Sequence, residues 1–226
     1  MPAKVDLKKT LDGYQAKRGQ FRILEVPEQQ YLMIDGHGDP NTSPEYVSAL
    51  EALYPLAYKL KFLSKRELDR DYVVMPLEGL WWADDMTTFT TARDKSQWNW
   101  TMMILQPEWL GPDSLEAVRD QLAGKSAPAL LDEVRWGTLR EGRCVQTMHV
   151  GSYDDETPVL EEMHERFIPA QGLQMAGIHH EVYLSDARKV APEKLRTILR
   201  PPVAAAWLAG LRGRSGTARP RSRRRR

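Results

Sequence analysis

The chain has 226 residues, 42% apolar and 28% charged, with a formal net charge of +1 at pH 7. That is enough apolar bulk for one or two compact domains and excludes a chain disordered throughout. No apolar run approaches the roughly 20 residues of a membrane-spanning helix, and the charged start Met1-Pro2-Ala3-Lys4-Val5-Asp6 lacks the apolar stretch of a signal peptide, so a cytoplasmic protein with no membrane partner is expected.

The single cysteine, Cys144, excludes an internal disulfide. No Cys/His cluster has the spacing of a structural zinc site, and no phosphate-binding glycine loop or Ser-based nucleophile elbow is present, so no metal or other cofactor is expected. The charge is unevenly spread: Arg212 to Arg226 contain eight arginines and no acid, which leaves residues 1–211 with a net −7. An acidic body argues against specific nucleic-acid binding. The tail 212–226, which nothing apolar could fold, is expected to be a disordered extension capable at most of non-specific polyanion contact.

Taken in chain order, the body 1–211 reads as a single domain built from two similar halves, about 20–110 and 136–203, joined by a helical connection over 111–135. In the first half the apolar stretch Tyr31-Leu32-Met33-Ile34 predicts a strand running into the turn Asp35-Gly36-His37-Gly38. Ser43-Pro44 then starts a helix carrying Val47, Leu50, Leu53, Tyr54 and Ala57 at helical spacing, because the hydroxyl can cap free N–H groups and proline loses no hydrogen bond at the first helical position. Strands follow over 71–82, ending in Leu77-Glu78-Gly79-Leu80-Trp81-Trp82, and over 98–107. Pro112 to Leu131 predicts the connecting helix, interrupted at Gly124.

The second half repeats the order. Cys144 to Val150 predicts a strand, Gly151-Ser152-Tyr153-Asp154 a turn, Thr157-Pro158 a helix start, and 176–184 and 195–201 two further strands. Glu78 and Glu181 fall at corresponding places in the two halves. The implied fold is α+β, two duplicated β-α-β-β units related by a pseudo-two-fold, with the helices on one face of the sheet and a ligand groove on the other, between the halves.

Strand alternation puts His179, Glu181 and Tyr183 on one face and Ile178, His180, Val182 and Leu184 on the other. The second set is mostly apolar and suits the core, so the first set is read as facing the groove. Glu78, Leu80 and Trp82 share a face, as do Trp98, Trp100 and Met102, and four of the seven tryptophans fall between Trp81 and Trp100. A carboxylate among aromatic rings suits a flat or cationic organic ligand. A strand tryptophan is also an ordinary core residue, and Glu181 could be a surface carboxylate paired with an arginine. His149, His179 and His180 come without the helix motif of a metal site, and Cys144 reads as a buried small apolar residue.

The segments 77–82, His149-Val150-Gly151-Ser152-Tyr153-Asp154-Asp155-Glu156 and His179-His180-Glu181-Val182-Tyr183-Leu184-Ser185-Asp186 together resemble the GyrI-like small-molecule-binding family over residues 1–203. The resemblance implies a groove for lipophilic, aromatic or cationic compounds and, in the stand-alone branch of cyclopropanoid cyclopropyl hydrolases, opening of the cyclopropane of DNA-alkylating compounds of the yatakemycin and duocarmycin type, a form of xenobiotic resistance. It carries the pocket glutamate onto Glu181, the neighbouring aromatic onto Tyr183, and the cage onto Trp82, Trp100 and Trp136; His179 is read as a further binding residue. Glu181 is expected to act as base, its pKa raised by burial, and Tyr183 to orient the ligand or donate to its oxygen. No N-terminal helix-turn-helix is expected, because too few residues precede the first repeat strand. Two alternatives stay open on sequence alone: a small-molecule-sequestering protein without turnover, and a gyrase-inhibitor-like module that binds a protein partner.

Overall fold

The structure, a computed structural model, describes residues 4–84, 94–124 and 126–206; the arginine-rich tail lies outside them. In chain order the main elements are helix α1 (Leu7–Thr10), strands β1 (Arg22–Val26) and β2 (Gln29–His37), helix α2 (Pro44–Glu67), strands β3 (Leu77–Trp82) and β4 (Asn99–Gln106), helix α3 (Pro112–Leu122), strands β5 (Arg135–Leu139) and β6 (Gly142–Val150), the helical run 157–170 (α4), and strands β7 (Leu173–Met175), β8 (His179–Tyr183), β9 (Arg196–Leu199) and β10 (Val203–Ala205). Eight strands form one antiparallel sheet in the order β1-β6-β9-β8-β3-β4-β2-β5, and β7 and β10 pair separately. The fold is α+β.

The six predicted strands are present, and β1, β5, β7 and β10 are additional. β1 and β5 follow a rule of their own, since each pairs not with the strand that follows it in sequence but with the first strand of the other half. Their registers correspond: Arg22 lies opposite Gln146 and Val26 opposite Gly142, while Arg135 lies opposite Met33 and Leu139 opposite Gln29. α2 continues through Pro55 to Glu67, so the charged stretch after Leu60 is part of the helix.

The register moves one correspondence by a residue. Gly79 lies opposite Glu181, whereas Glu78 lies opposite Val182. Going outwards from Gly79 the sheet crosses Met102 and Ile34, and from Glu181 it crosses Leu199 and Thr147. Met33 and Gln146 hold matching places against β5 and β1, so Gly79, not Glu78, is the counterpart of Glu181, and Glu78 is the counterpart of His180. Because side chains alternate along a strand, this single step puts Glu78 on the face opposite Glu181.

α2 begins as expected, with the Ser43 hydroxyl accepting from the Tyr46 N–H at 3.4 Å and Pro44 in the first turn. It buries Ala49, Leu53, Leu56 and Leu60 with Leu32, Ile34, Met102 and Ile104 of β2 and β4. The other half differs at its start. A 3-10 turn over Tyr153–Glu156 runs directly into α4, so Thr157 is itself helical (φ −49°, ψ −49°) and the cap position falls on Glu156. A π-type turn over Glu162–Phe167 follows, and Met163 and Ile168 pack with Val145 and Leu199.

Both helices therefore cover the face that carries Gly79 and Glu181, leaving a trough between them above β3 and β8. The groove thus lies on the helix-bearing face and not on a free one. The opposite face is closed by the N-terminal segment: Arg200 donates to the Gly13 carbonyl (3.0 Å), Gln146 to the Gln15 carbonyl (2.9 Å) and the Tyr14 hydroxyl to Glu78.

Under that cover lies a buried ion network. His180 Nε2 is 3.0 Å from Glu78 and Nδ1 2.9 Å from Glu141, and Arg200 reaches Glu141 at 2.9 Å. Burial disfavours each charge, but the partners outweigh it: His180 and Arg200 hold Glu141 down to about 2, and the His180 pKa is raised chiefly by Glu141. Two carboxyl groups thus face a guanidinium and an imidazole within the cluster.

Candidate functional site

The trough contains a cavity of about 530 Å³. Its floor is the central strand pair, with Leu77 and Trp81 from β3 and Glu181 and Tyr183 from β8. One wall is α2, through Tyr46, Leu50 and Tyr54; the other is the 3-10 turn before α4, through Tyr153 and Glu156; Trp98 and Lys95 stand at one end and Leu184 to Arg188 at the other. The volume suits a drug-sized molecule, and the mixture of apolar walls with a few convergent polar groups is the usual composition of such sites.

The rings support one another. Trp81 stacks on Tyr46 (centroids 6.5 Å) and meets Trp98 edge-on (5.8 Å), and Tyr153 meets Tyr183 edge-on (5.6 Å). Gly79 makes room for them: a Cβ there would fall 2.7 Å from Trp81 Nε1 and 3.0 Å from the Tyr183 hydroxyl. A directed chain of hydrogen bonds crosses the floor. Trp81 Nε1–H donates to the Tyr183 oxygen (2.8 Å), and Tyr183 O–H donates to Glu181 Oε2 (2.8 Å). The other oxygen, Oε1, is 3.3 Å from His179 Nε2. Tyr183 is held well above its ordinary pKa by burial and then by the Glu181 charge, so it keeps its proton.

A second carboxyl, Glu156, looks into the same space. It is 5% exposed, and its Oε1 is buried without a hydrogen-bond partner. Burial, then the charge of Glu181, pushes its pKa up to about 10, so it is protonated at neutral pH. Tyr153 is likewise pushed up to about 12 by burial and Glu181. Lys95 pairs with Asp154 at 3.0 Å, tying the segment before β4 to the turn before α4 across the mouth.

Of the residues singled out from sequence, Glu181 and Tyr183 line the cavity, and His179 stands behind Glu181, edge-on to His164 (6.2 Å). Trp82 is on the opposite face of β3, because Trp81 takes the groove side. Trp100 shares the groove's face but is fully buried, its ring over Gly36 and edge-on to Tyr46, so it backs the wall without reaching the cavity. Trp136 lies on the edge strand β5, opposite Leu32, away from the site. Besides Tyr183, the rings that do line the space are Trp81, Trp98, Tyr46, Tyr54 and Tyr153. Glu156 carried one legible sign, a glutamate placed directly before the Thr-Pro helix start, where a helix wall meets the sheet. Cys144 is buried in β6 with its thiol pushed up to about 12 by burial, which makes it a poor nucleophile.

Residues 19–204 match the GyrI-like small molecule binding domain. The chain belongs to the GyrI-like family. A solved structure of an uncharacterized conserved protein from Listeria innocua is 38% identical with a TM-score of 0.80, and one of a hydrolase from the same organism is 37% identical with a TM-score of 0.77; each alignment covers 89% of this chain and 100% of the other. The EcmrR C-terminal domain, at 11% identity over 82% of this chain and 98% of that one (TM-score 0.50), shares the fold. No curated protein matches the chain. As a GyrI-like domain the chain binds small molecules, and among its described residues no helix is long and apolar enough to cross a membrane.

Proposed function

We propose that this GyrI-like protein takes a flat hydrophobic molecule carrying an electrophilic cyclopropane fused to a dienone and hydrolyses the ring, with Glu181 as the base. The observation that carries the reading is the chain Trp81–Tyr183–Glu181, which fixes one carboxylate on the floor of an aromatic-walled cavity. The Listeria innocua relative described as a hydrolase supports a reaction rather than binding alone.

Ring opening needs a water oxygen to attack the strained CH₂ carbon while the C–C bond electrons pass into the dienone, whose oxygen becomes phenolic. Glu181 takes the water proton. Tyr183 orients the carboxylate, and the aromatic walls hold the planar substrate beside that water, a positioning effect that can be worth several kcal/mol. Burying the flat rings against Tyr46, Trp81 and Trp98 also favours aromatic over aliphatic ligands.

The test is product analysis with excess cyclopropane compound. More than one equivalent of the water adduct per protein is expected from the wild type. Stoichiometric binding without turnover would overturn the hydrolytic reading and leave sequestration, and a Glu181→Gln variant turning over at the wild-type rate would remove Glu181 from it. Inhibition of a supercoiling reaction, with no response to planar aromatics, would favour the protein-binding alternative instead.

A further inference from the structure

Ring opening leaves negative charge on the former dienone oxygen, and a donor is required there. The two donors of the groove floor are committed. The one proton of Tyr183 is already given to Glu181, and the indole N–H of Trp81 is given to Tyr183. Glu156 is not. It stands on the wall across from these residues, at the end of the turn Tyr153–Glu156, with a carboxyl oxygen that is buried and unpartnered, and among the described ion pairs no cation is bonded to it, since Lys95 is taken by Asp154. A carboxyl so placed is far cheaper to keep neutral than ionised.

Resting on the hydrolytic reading above, we propose that Glu156 is the proton donor of the site and that Glu156 and Glu181 act as an acid–base pair. As water oxygen bonds to the CH₂ carbon, the cyclopropane C–C bond breaks and its electron pair is taken up as the dienone becomes a phenolate. The Glu156 carboxyl proton passes to that oxygen, and the water proton passes to Glu181. The two glutamates then hold one proton between them, now on the other partner, and its return from Glu181 to Glu156 resets the site. No net proton, electron or co-reactant is needed. The groups that face Glu156 from the packed elements are Glu181, Asp154, Lys95 and Thr197; burial, then repulsion from Glu181, keeps the returned proton on Glu156 against the opposing Thr197 hydrogen bond and Lys95 charge. The elevated pKa agrees with this assignment.

Two variants and two probes test it. Glu156→Gln keeps shape and burial, so quenching of tryptophan fluorescence by the probe is expected at the wild-type affinity. Turnover of a cyclopropane-dienone probe is expected to fall about 100-fold or more, the usual contribution of a positioned acid. With a second probe bearing an electron-withdrawing substituent, whose phenolate leaves without protonation, the Glu156→Gln deficit is expected to shrink at least tenfold, while the Glu181→Gln deficit persists. A Glu156→Gln protein that turns over at the wild-type rate, or loses activity equally on both probes, overturns the donor role while leaving the hydrolytic reading intact. A wild type that binds both probes and turns over neither overturns the hydrolytic reading itself. Infrared spectra of the wild type at neutral pH should in addition show a protonated-carboxyl band that Glu156→Gln lacks; its absence also overturns the assignment.

Discussion

Gly79→Ala is the sharpest test of how the fold builds the groove. The glycine sits in extended backbone at the sheet's centre, directly opposite Glu181. An added Cβ would lie 2.5 Å from the Met102 methyl, 2.7 Å from Trp81 Nε1 and 3.0 Å from the Tyr183 hydroxyl. Met102 can swing its methyl away, but the Trp81 ring is held between Tyr46 and Trp98 and cannot retreat without disturbing both. Overpacking of this kind costs about 1–2 kcal/mol and the displaced Trp81–Tyr183 hydrogen bond about 1 kcal/mol more. The total of about 2–3 kcal/mol corresponds to a fall in Tm of about 5–10 °C for a domain of this size. Because Tyr183 no longer fixes Glu181, turnover should fall by more than the stability loss explains. The control is Gly111→Ala, where an added Cβ meets nothing within 4 Å and the backbone is extended (φ −153°). Urea unfolding and a fluorescence titration with a planar aromatic measure both effects. If Gly79→Ala matches Gly111→Ala in unfolding midpoint and probe affinity, the close-approach account of the groove floor is wrong.

Gly36→Ala should be harsher, since its Cβ would fall 2.0 Å from the fully buried Trp100 ring; a loss of about 3 kcal/mol is expected by urea unfolding, largely recovered when Trp100→Phe is added. Glu141 titrates at about 2 when folded against 4.5 otherwise, so its stabilisation is present above pH 4.5 and lost as pH falls towards 2; Glu141→Gln should flatten that acid limb and cost about 3 kcal/mol at neutral pH. His180, its folded pKa raised, stabilises fully below its unfolded value and loses that contribution as pH rises through the folded one. Glu156 is also raised, to about 10, so the wild type loses stability as pH climbs from 4.5, by up to about 1.4 kcal/mol per pH unit; Glu156→Gln should equal the wild type at pH 4 and exceed it at pH 8 by chemical denaturation.

Much of the fold was legible because its signals are local. Ser43-Pro44 starts a helix by its own chemistry, and the order strand, helix, strand, strand shows twice in the pattern of apolar residues. What was not legible is pairing. β1 and β5 exchange halves, a long-range choice that alternation within Arg22–Val26 or Arg135–Leu139 does not encode. Register was equally hidden, and it decided the site. Matching Glu78 to Glu181 is one residue out of register, yet that step reverses every side chain on β3, sending Trp82 inward and Trp81 outward. Glu181 and Tyr183 could be placed because alternation along one short strand needs no partner. Tyr46, Tyr54 and Glu156 could not, because they reach the groove from helix walls whose approach to the sheet depends on tertiary packing.

The register also explains why one face of the central pair is a cavity and the other a sealed ion network. Gly79 and Glu181 lie directly opposite each other in the central strand pair, so one strand supplies space and the other a carboxyl group. Two glutamates there would meet head-on, and two glycines would leave nothing to polarise a ligand. One residue away on the opposite face the matched pair is Glu78 and His180, which lie 3.0 Å apart and are closed over by Tyr14. The two faces of the pair therefore differ: Glu78 and His180 meet across β3 and β8 on the closed face, and on the other Gly79 lets Trp81, Tyr183 and Glu181 close into one hydrogen-bonded chain.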